Sequence, residues 1–254
     1  NNPLSLKKSL NDGSWSYPTL QLNGATIINP LEILDLTIVN IGEYQKRGYD
    51  LIIQSLKKNK KYKILNNPNK GIPYTVLDAP LQALNMIYPD IELENEDREE
   101  DTYQYMYGKR GLDRVMMYDV KSRSKFTYKD ITLQNFGRIF SPSEIGKYSG
   151  KIATICESIR NSSGIIFIYS QYIDGGGVPI ALALEEMGFS KYGGRSLFNE
   201  PPAPPIDALT MSSENVQNPA KYMMITGQAN LTTNVEGELK AITSDNNING
   251  EKIK

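Results

Sequence analysis

The chain contains no histidine. That absence removes the commonest general base at neutral pH and the commonest metal ligand together. Ser-His-Asp triads, HExxH zinc sites and DExH boxes are thereby excluded from these 254 residues. A single cysteine, Cys156, rules out an internal disulfide and a cysteine-rich zinc cluster, and fits a reducing compartment. Long hydrophobic runs are also lacking. The best apolar run, Gly164–Tyr169, has the length of a strand, far short of the roughly 18 residues a bilayer helix needs. Neither sign of charge is in excess, with 28 Lys and Arg against 29 Asp and Glu. Total charge therefore announces no phosphate-rich partner, and contact with nucleic acid would have to come from a local patch.

What is present suits one large or two ordinary domains, with 39% hydrophobic and 22% charged residues. Residues 1–30 carry turn chemistry, at Asn11-Asp12-Gly13, Tyr17-Pro18, Asn23-Gly24 and Asn29-Pro30, and are expected to be irregular. From Leu31, apolar residues at helical spacing, including Ile41, Gln45, Tyr49, Ile52 and Leu56, predict a long helix or a helix pair broken near Gly48. The spacing predicts a second helix over Pro80–Ile87, with Asp78 as its N-cap and Pro89 as its stop. Residues 92–101 concentrate carboxylates and predict a solvated loop. Between Gly108 and Phe140, basic and aromatic residues such as Lys109, Tyr118, Arg123, Lys125, Phe126 and Tyr128 alternate. That interleaving reads either as a nucleic-acid surface or as an amphipathic exposed face.

The C-terminal part has the grammar of an α/β domain. A helix over Ser149–Asn161, a buried strand at Ile165–Tyr169, a helix over Val178–Met187 and a strand at Tyr222–Thr226 follow in order. A further helix over Asn234–Thr243 precedes Lys252-Ile253-Lys254, which reads as the start of a third parallel strand. The Pro-rich insertion 193–219 cannot be helical. Ligand sites of parallel α/β sheets lie at the carboxyl ends of strands, which directs attention to Ser170-Gln171-Tyr172 and to Gly227. Their hydroxyl, amide and aromatic groups suit a sugar-phosphate backbone. Gly175-Gly176-Gly177 lacks the spacing of a phosphate-binding loop and is expected to make a tight turn. The adjacent carboxylates Glu185 and Glu186 should point in different directions into solvent.

Residues Phe140–Ile152, Gly164–Tyr172 and Ala181–Phe189 resemble the second RecA-like domain of superfamily 2 helicases, with Phe167–Tyr172 in the place of motif IV. Residues 17–24, 41–45, 74–85 and 108–112 are similar to the large helicases of nucleocytoplasmic large DNA viruses. The resemblance implies a fold of mixed α/β class, in which a partial RecA-like parallel sheet flanked by helices (141–254) follows a helical and irregular inter-lobe region (1–140). It implies a nucleic-acid-dependent NTPase that moves on DNA or RNA, with Ser170, Gln171, Tyr172 and Gly227 touching the nucleic acid. ATP and Mg would be held in a full-length parent whose first RecA-like lobe and motifs V and VI lie outside these residues, so that this piece alone would bind no cofactor and be inactive. Viral transcription machinery would be a further partner, membrane would not, and the virion or a cytoplasmic viral factory would be the location. The alternative is a non-catalytic helicase-like scaffold of a viral transcription complex. The opening Asn1-Asn2-Pro3 and the closing Glu251-Lys252-Ile253-Lys254 lead to the expectation of a piece of a longer chain.

Overall fold

A computed structural model describes residues 26, 37–58, 74–91, 102–232 and 234–254. Expectations for residues 1–25, 27–36 and the acidic stretch 92–101 lie outside the described residues. Two compact units divide the chain, residues 1–38 and residues 39–254. In the first, the described Thr26, Thr37 and Ile38 are exposed. All that follows concerns the second.

The described part mixes helices and short strands. Helix α1 (Glu43–Lys58) runs unbroken through Gly48. A side chain there would meet Ile87 and Met106, at 2.7 and 2.9 Å from an added Cβ, so this glycine answers to close packing rather than to a break. Glu43 at its start and Lys57 and Lys58 at its end match the signs of the helix dipole. Helix α2 (Tyr74–Asn85) begins six residues before the expected start, with Pro80 inside it. Asp78 is therefore not an N-cap; it lies within the helix and accepts from Gln82 Nε2 at 2.9 Å, one turn on.

A short 3-10 turn (Thr102–Tyr105) leads into α3 (Gly108–Val115), then the antiparallel hairpin of β1 (Met116–Asp119) and β2 (Ser124–Tyr128). Its turn is closed by Asp119 Oδ1, which accepts from the amides of Lys121 and Ser122 at 2.9 and 3.0 Å. Helices α4 (Asp130–Phe136), α5 (Ile145–Tyr148) and α6 (Gly150–Arg160) follow. The helix expected over Ser149–Asn161 is α6, which Ser149 caps, its Oγ accepting from the Ile152 amide at 2.9 Å, and Ile152, Cys156 and Ile159 are buried. A π-helical turn (Ile173–Gly177) then opens α7 (Val178–Glu186), a helix buried along its whole length.

One side chain joins three helices. Gln45 of α1, fully buried, donates from Nε2 to the carbonyls of Ala83 and Leu84 at 3.0 and 3.2 Å, while its Oε1 accepts from the Gly150 amide at 3.0 Å. The last turn of α2 and the first turn of α6, which have no intrahelical partners for these groups, are thus both satisfied.

The described residues are of mixed α/β class, as expected, but carry no extended parallel sheet. Only two two-stranded sheets occur among the described residues: the hairpin, and a parallel pair of β3 (Ser190–Lys191) with β4 (Lys221–Tyr222). Residues 165–169 join no ladder, and only the first residue of the expected strand Tyr222–Thr226 is paired. Lys252–Lys254 likewise forms no assigned strand. A strand's amides need a neighbour, whereas a helix satisfies its own, and residues 165–169 find no backbone partner among the described residues. Helix α8 (Val235–Ile242) is capped by Asn234, whose Oδ1 accepts from the Gly237 amide at 3.0 Å.

The main core draws on both halves of the unit, from Met86, Tyr88, Leu112 and Phe126 through Ile152 and Leu182 to Tyr222 and Leu231. A smaller one gathers Ile52, Leu56, Ala83, Ile87 and Met106 between α1 and α2. The insertion 193–219 contains no helix, as expected. It is tied down by Asp207, whose carboxylate accepts from the amides of Leu209, Thr210, Gln217 and Asn218 at 2.8 to 3.1 Å. Those amides pull its pKa down to about 2.

Candidate functional site

The segment after residues 165–169 is locally self-bonded. Ser170 Oγ donates to the Tyr172 carbonyl at 3.0 Å and accepts from the Tyr172 amide at 3.3 Å, a tight turn in which Gln171 is exposed. Tyr172 then starts the π-helical turn, and the Gly177 amide returns to the Tyr172 carbonyl at 2.9 Å. The glycine triplet is helical here rather than a simple tight turn. Its second member has no room for a side chain: an added Cβ on Gly176 would stand 2.1 Å from Ser170 Oγ.

Three groups brace this turn from the preceding helices and hairpin. Gln82 of α2 reaches Gly175, whose added Cβ would lie 2.6 Å from its Oε1. Tyr88 donates its hydroxyl to the Asp174 carbonyl at 2.8 Å. Arg123, at the end of the hairpin turn, forms an ion pair with the Asp174 carboxylate. Its guanidinium lies 5.2 Å from the centre of the Tyr118 ring, which stacks on Phe126 at 4.5 Å. Arg123 is only 5% exposed and its backbone is left-handed, with φ of +49°. The basic and aromatic stretch is therefore not one exposed face: Arg123, Phe126 and Tyr128 are buried, while Lys109, Arg110, Lys121 and Lys125 are exposed.

Burial pushes the Tyr88 hydroxyl well above its ordinary value, and burial followed by the neighbouring Asp113 raises Tyr118. Lys109 is raised by its bond to Asp113, 2.6 Å away. All three therefore keep their protons at neutral pH, as fixed donors or cations. Asp174, the nearest carboxylate to the turn, is engaged by Arg123. The arrangement can grip a ligand through hydroxyl, amide and backbone groups, but presents no nucleophile with a base beside it.

Gly227 occupies a separate turn at the end of residues 222–226. It is exposed, with no described atom near the place an added Cβ would take. Around it Thr226 and Thr232 knit the loop: the Thr226 amide donates to Thr232 Oγ1 at 2.8 Å, and the Gln228 amide to Thr226 Oγ1 at 3.1 Å. Met224, three residues before Gly227, places its Cε 3.9 Å from an added Cβ on Gly177. So Ser170 and Tyr172 are bonded together, Gln171 is exposed between them, and Gly227 stands on another loop.

The adjacent carboxylates of α7 do diverge, but neither reaches solvent. Glu185 is 1% and Glu186 5% exposed. Glu185 accepts from the amides of Leu197 and Phe198 at 2.6 and 2.8 Å and from the Tyr222 hydroxyl at 2.5 Å. Glu186 takes the Tyr128 hydroxyl at 2.7 Å and Arg138 at 2.7 Å. Burial raises the pKa of both, against these bonds. They fasten the insertion and the hairpin to α7.

Sequence reasoning missed Arg123, Asp174, Tyr88 and Gln82 as braces of the turn. Only the placement of Asp174 two residues after Tyr172 was a signal, since a carboxylate that close to a buried turn needs a cation. Among the described residues no three His, Cys, Asp or Glu side chains converge as a metal would require, and no helix is long and apolar enough to cross a membrane. No protein-family model, curated protein or solved structure matches the chain.

Proposed function

We propose that this chain is the nucleic-acid-contacting part of an ATP-driven motor of the superfamily 2 helicase kind, from a large DNA virus, built on the second RecA-like lobe. The observation that carries the reading is the turn 170–177. It follows the apolar segment 165–169, is braced by Arg123, Tyr88 and Gln82, and leaves Gln171 exposed, as Gly227 is on its own loop. A rigid polar turn of this kind can follow a phosphate backbone without reading its bases. Ser170 and Tyr172 shape the turn, and Gln171 and the open backbone at Gly227 meet DNA or RNA. ATP and Mg belong to the first lobe of the parent, which completes the motor; viral transcription machinery is its wider partner, in the virion or viral factory.

A fluorescein-labelled single-stranded DNA, and the same sequence as RNA, titrated with the protein tests the reading by anisotropy. Binding that weakens as salt rises is expected, with Gln171→Ala and Gly227→Asp each reducing affinity about fivefold to tenfold. Affinity unchanged in both variants would remove these residues from the interface. A helicase-like scaffold without a motor is the second reading, favoured by the exposed Phe167 and Tyr169, which suit a protein partner better than a phosphate backbone. Absence of any binding to either oligonucleotide would move the assignment there.

A further inference from the structure

Eight lysines and arginines lie between Gly108 and Phe140, and the fold employs six of them. Lys109 is paired with Asp113, Arg114 with Asp90, Arg123 with Asp174 and Arg138 with Glu186. Arg110 donates to the Gln104 side chain and Lys129 to the Asp113 carbonyl. The ammonium groups of Lys121 and Lys125 make no hydrogen bond or ion pair among the described residues. Both side chains are exposed, and both belong to the tip of the β1–β2 hairpin.

Lys125 stands where a hairpin usually carries glycine. Met117 pairs with Thr127 and Asp119 with Ser124, which leaves Tyr118 alone opposite both Lys125 and Phe126. This is a β-bulge, and its first residue is left-handed, with φ of +59°. Glycine is the default in a left-handed bulge position, because a Cβ there crowds the backbone. Arg123, also left-handed, makes its bond to Asp174 from that conformation. Lys125 makes no such bond. A strained residue whose charge the fold leaves unused points to a ligand outside it.

The hairpin tip also touches both candidate contact segments. Arg123 reaches Asp174 in the turn 170–177, and Asn230, three residues after Gly227, donates from Nδ2 to the Lys121 carbonyl at 3.1 Å. The tip has one carboxylate, Asp119, which is held ionised chiefly by the amides of Ser122 and Lys121; Lys125 adds to this last, without forming an ion pair. We propose that Lys121 and Lys125 bind phosphate groups of a single strand of nucleic acid that also meets Gln171 and Gly227. The inference rests on the nucleic-acid reading of those two segments and supplies the positive charge that Ser170, Gln171, Tyr172 and Gly227 lack. Each ammonium is a point charge on a flexible stem, able to take a phosphate whatever base it carries.

Anisotropy of fluorescein-labelled oligothymidylate, titrated with the protein over a series of salt concentrations, tests this. Lys121→Gln and Lys125→Gly should each weaken binding about threefold to tenfold and reduce the slope of log affinity against log salt by about 0.7, the share of one phosphate contact on a single strand. Lys125→Arg should keep both the affinity and the slope. Lys125→Gly should lose affinity while its Tm stays level or rises by about 2 °C, because glycine relieves the left-handed backbone. A residue with only a structural role would move the two together, and a joint fall of affinity and Tm overturns the proposal. Unchanged slopes in Lys121→Gln and Lys125→Gly, with binding still weakened by Gln171→Ala, overturn it and leave the nucleic-acid reading standing. Failure of the unaltered protein to bind the oligonucleotide removes both. Tighter binding of labelled polyglutamate than of oligothymidylate also overturns the proposal, by assigning the two cations to an acidic protein.

Discussion

Two apolar stretches lie a few residues apart and have opposite fates. Residues 165–169 are as hydrophobic as α7, yet α7 is buried at every position while Phe167 and Tyr169 stand in solvent. The helix carries its hydrogen bonds within itself, so the surrounding residues need only cover its sides. An extended segment must find its bonds on a neighbour, and residues 165–169 have none among the described residues. Composition thus tells how strongly a stretch avoids water; which stretch succeeds is decided by who is available to pair with its backbone.

The contrast can be broken from the buried side. Glu185→Ala leaves two amides and the Tyr222 hydroxyl without their acceptor, and should cost more than about 3 kcal/mol, at the upper range for stranded buried donors. Urea unfolding reads it, and a loss under about 1 kcal/mol would mean that water replaces the carboxylate. Arg123→Ala comes next, at about 2 kcal/mol, less than the full penalty for a stranded buried charge because Asp174 keeps some contact with water. Replacing both partners, by Arg123→Met with Asp174→Asn, should recover most of that loss; failure to recover would mean that the ion pair itself, not the stranded carboxylate, holds the turn.

A smaller effect is expected at Asp207. Its folded acidity, near 2, lies below the ordinary carboxylate value of about 4. Its stabilising effect is therefore complete above about pH 4 and is lost as pH falls toward about 2. Asp207→Asn should be less stable at pH 7 and show a flatter decline over that acid range; parallel curves for the two proteins would contradict it. Smallest of all, Phe167→Ser and Tyr169→Ser should change stability by no more than about 0.5 kcal/mol, since these side chains bury little. A loss above about 1 kcal/mol would show that the open stretch is covered in solution.

The elements legible in the sequence are those whose signals are local. Ser149 before α6 and Asn234 before α8 are caps that announce themselves. The start of α2 was hidden because Pro80 normally marks a helix beginning, and here it is carried inside one. Glu185 and Glu186 read as surface residues because nothing within a helix shows that an insertion 12 and 13 residues after Glu185 will return to claim a carboxylate. The turn at 170–172 was visible from its place after an apolar run. Its brace from Arg123 was not, since 51 residues separate the ion pair. Of the expected sheet only one parallel pair, β3 with β4, is formed among the described residues, because apolar sequence alone does not tell which neighbour a strand's peptide groups will find.

Gln45 has a kinetic meaning as well as a structural one. Its amide ties partners 38 and 105 positions away in the chain, so these bonds close only after large loops have been gathered. Bonds made that late are largely absent from a folding transition state built on nearer contacts. Truncating Gln45 should therefore leave the refolding rate almost unchanged and hasten unfolding. One side chain then acts as a latch on lifetime, setting how long α1, α2 and α6 stay together rather than how soon they meet.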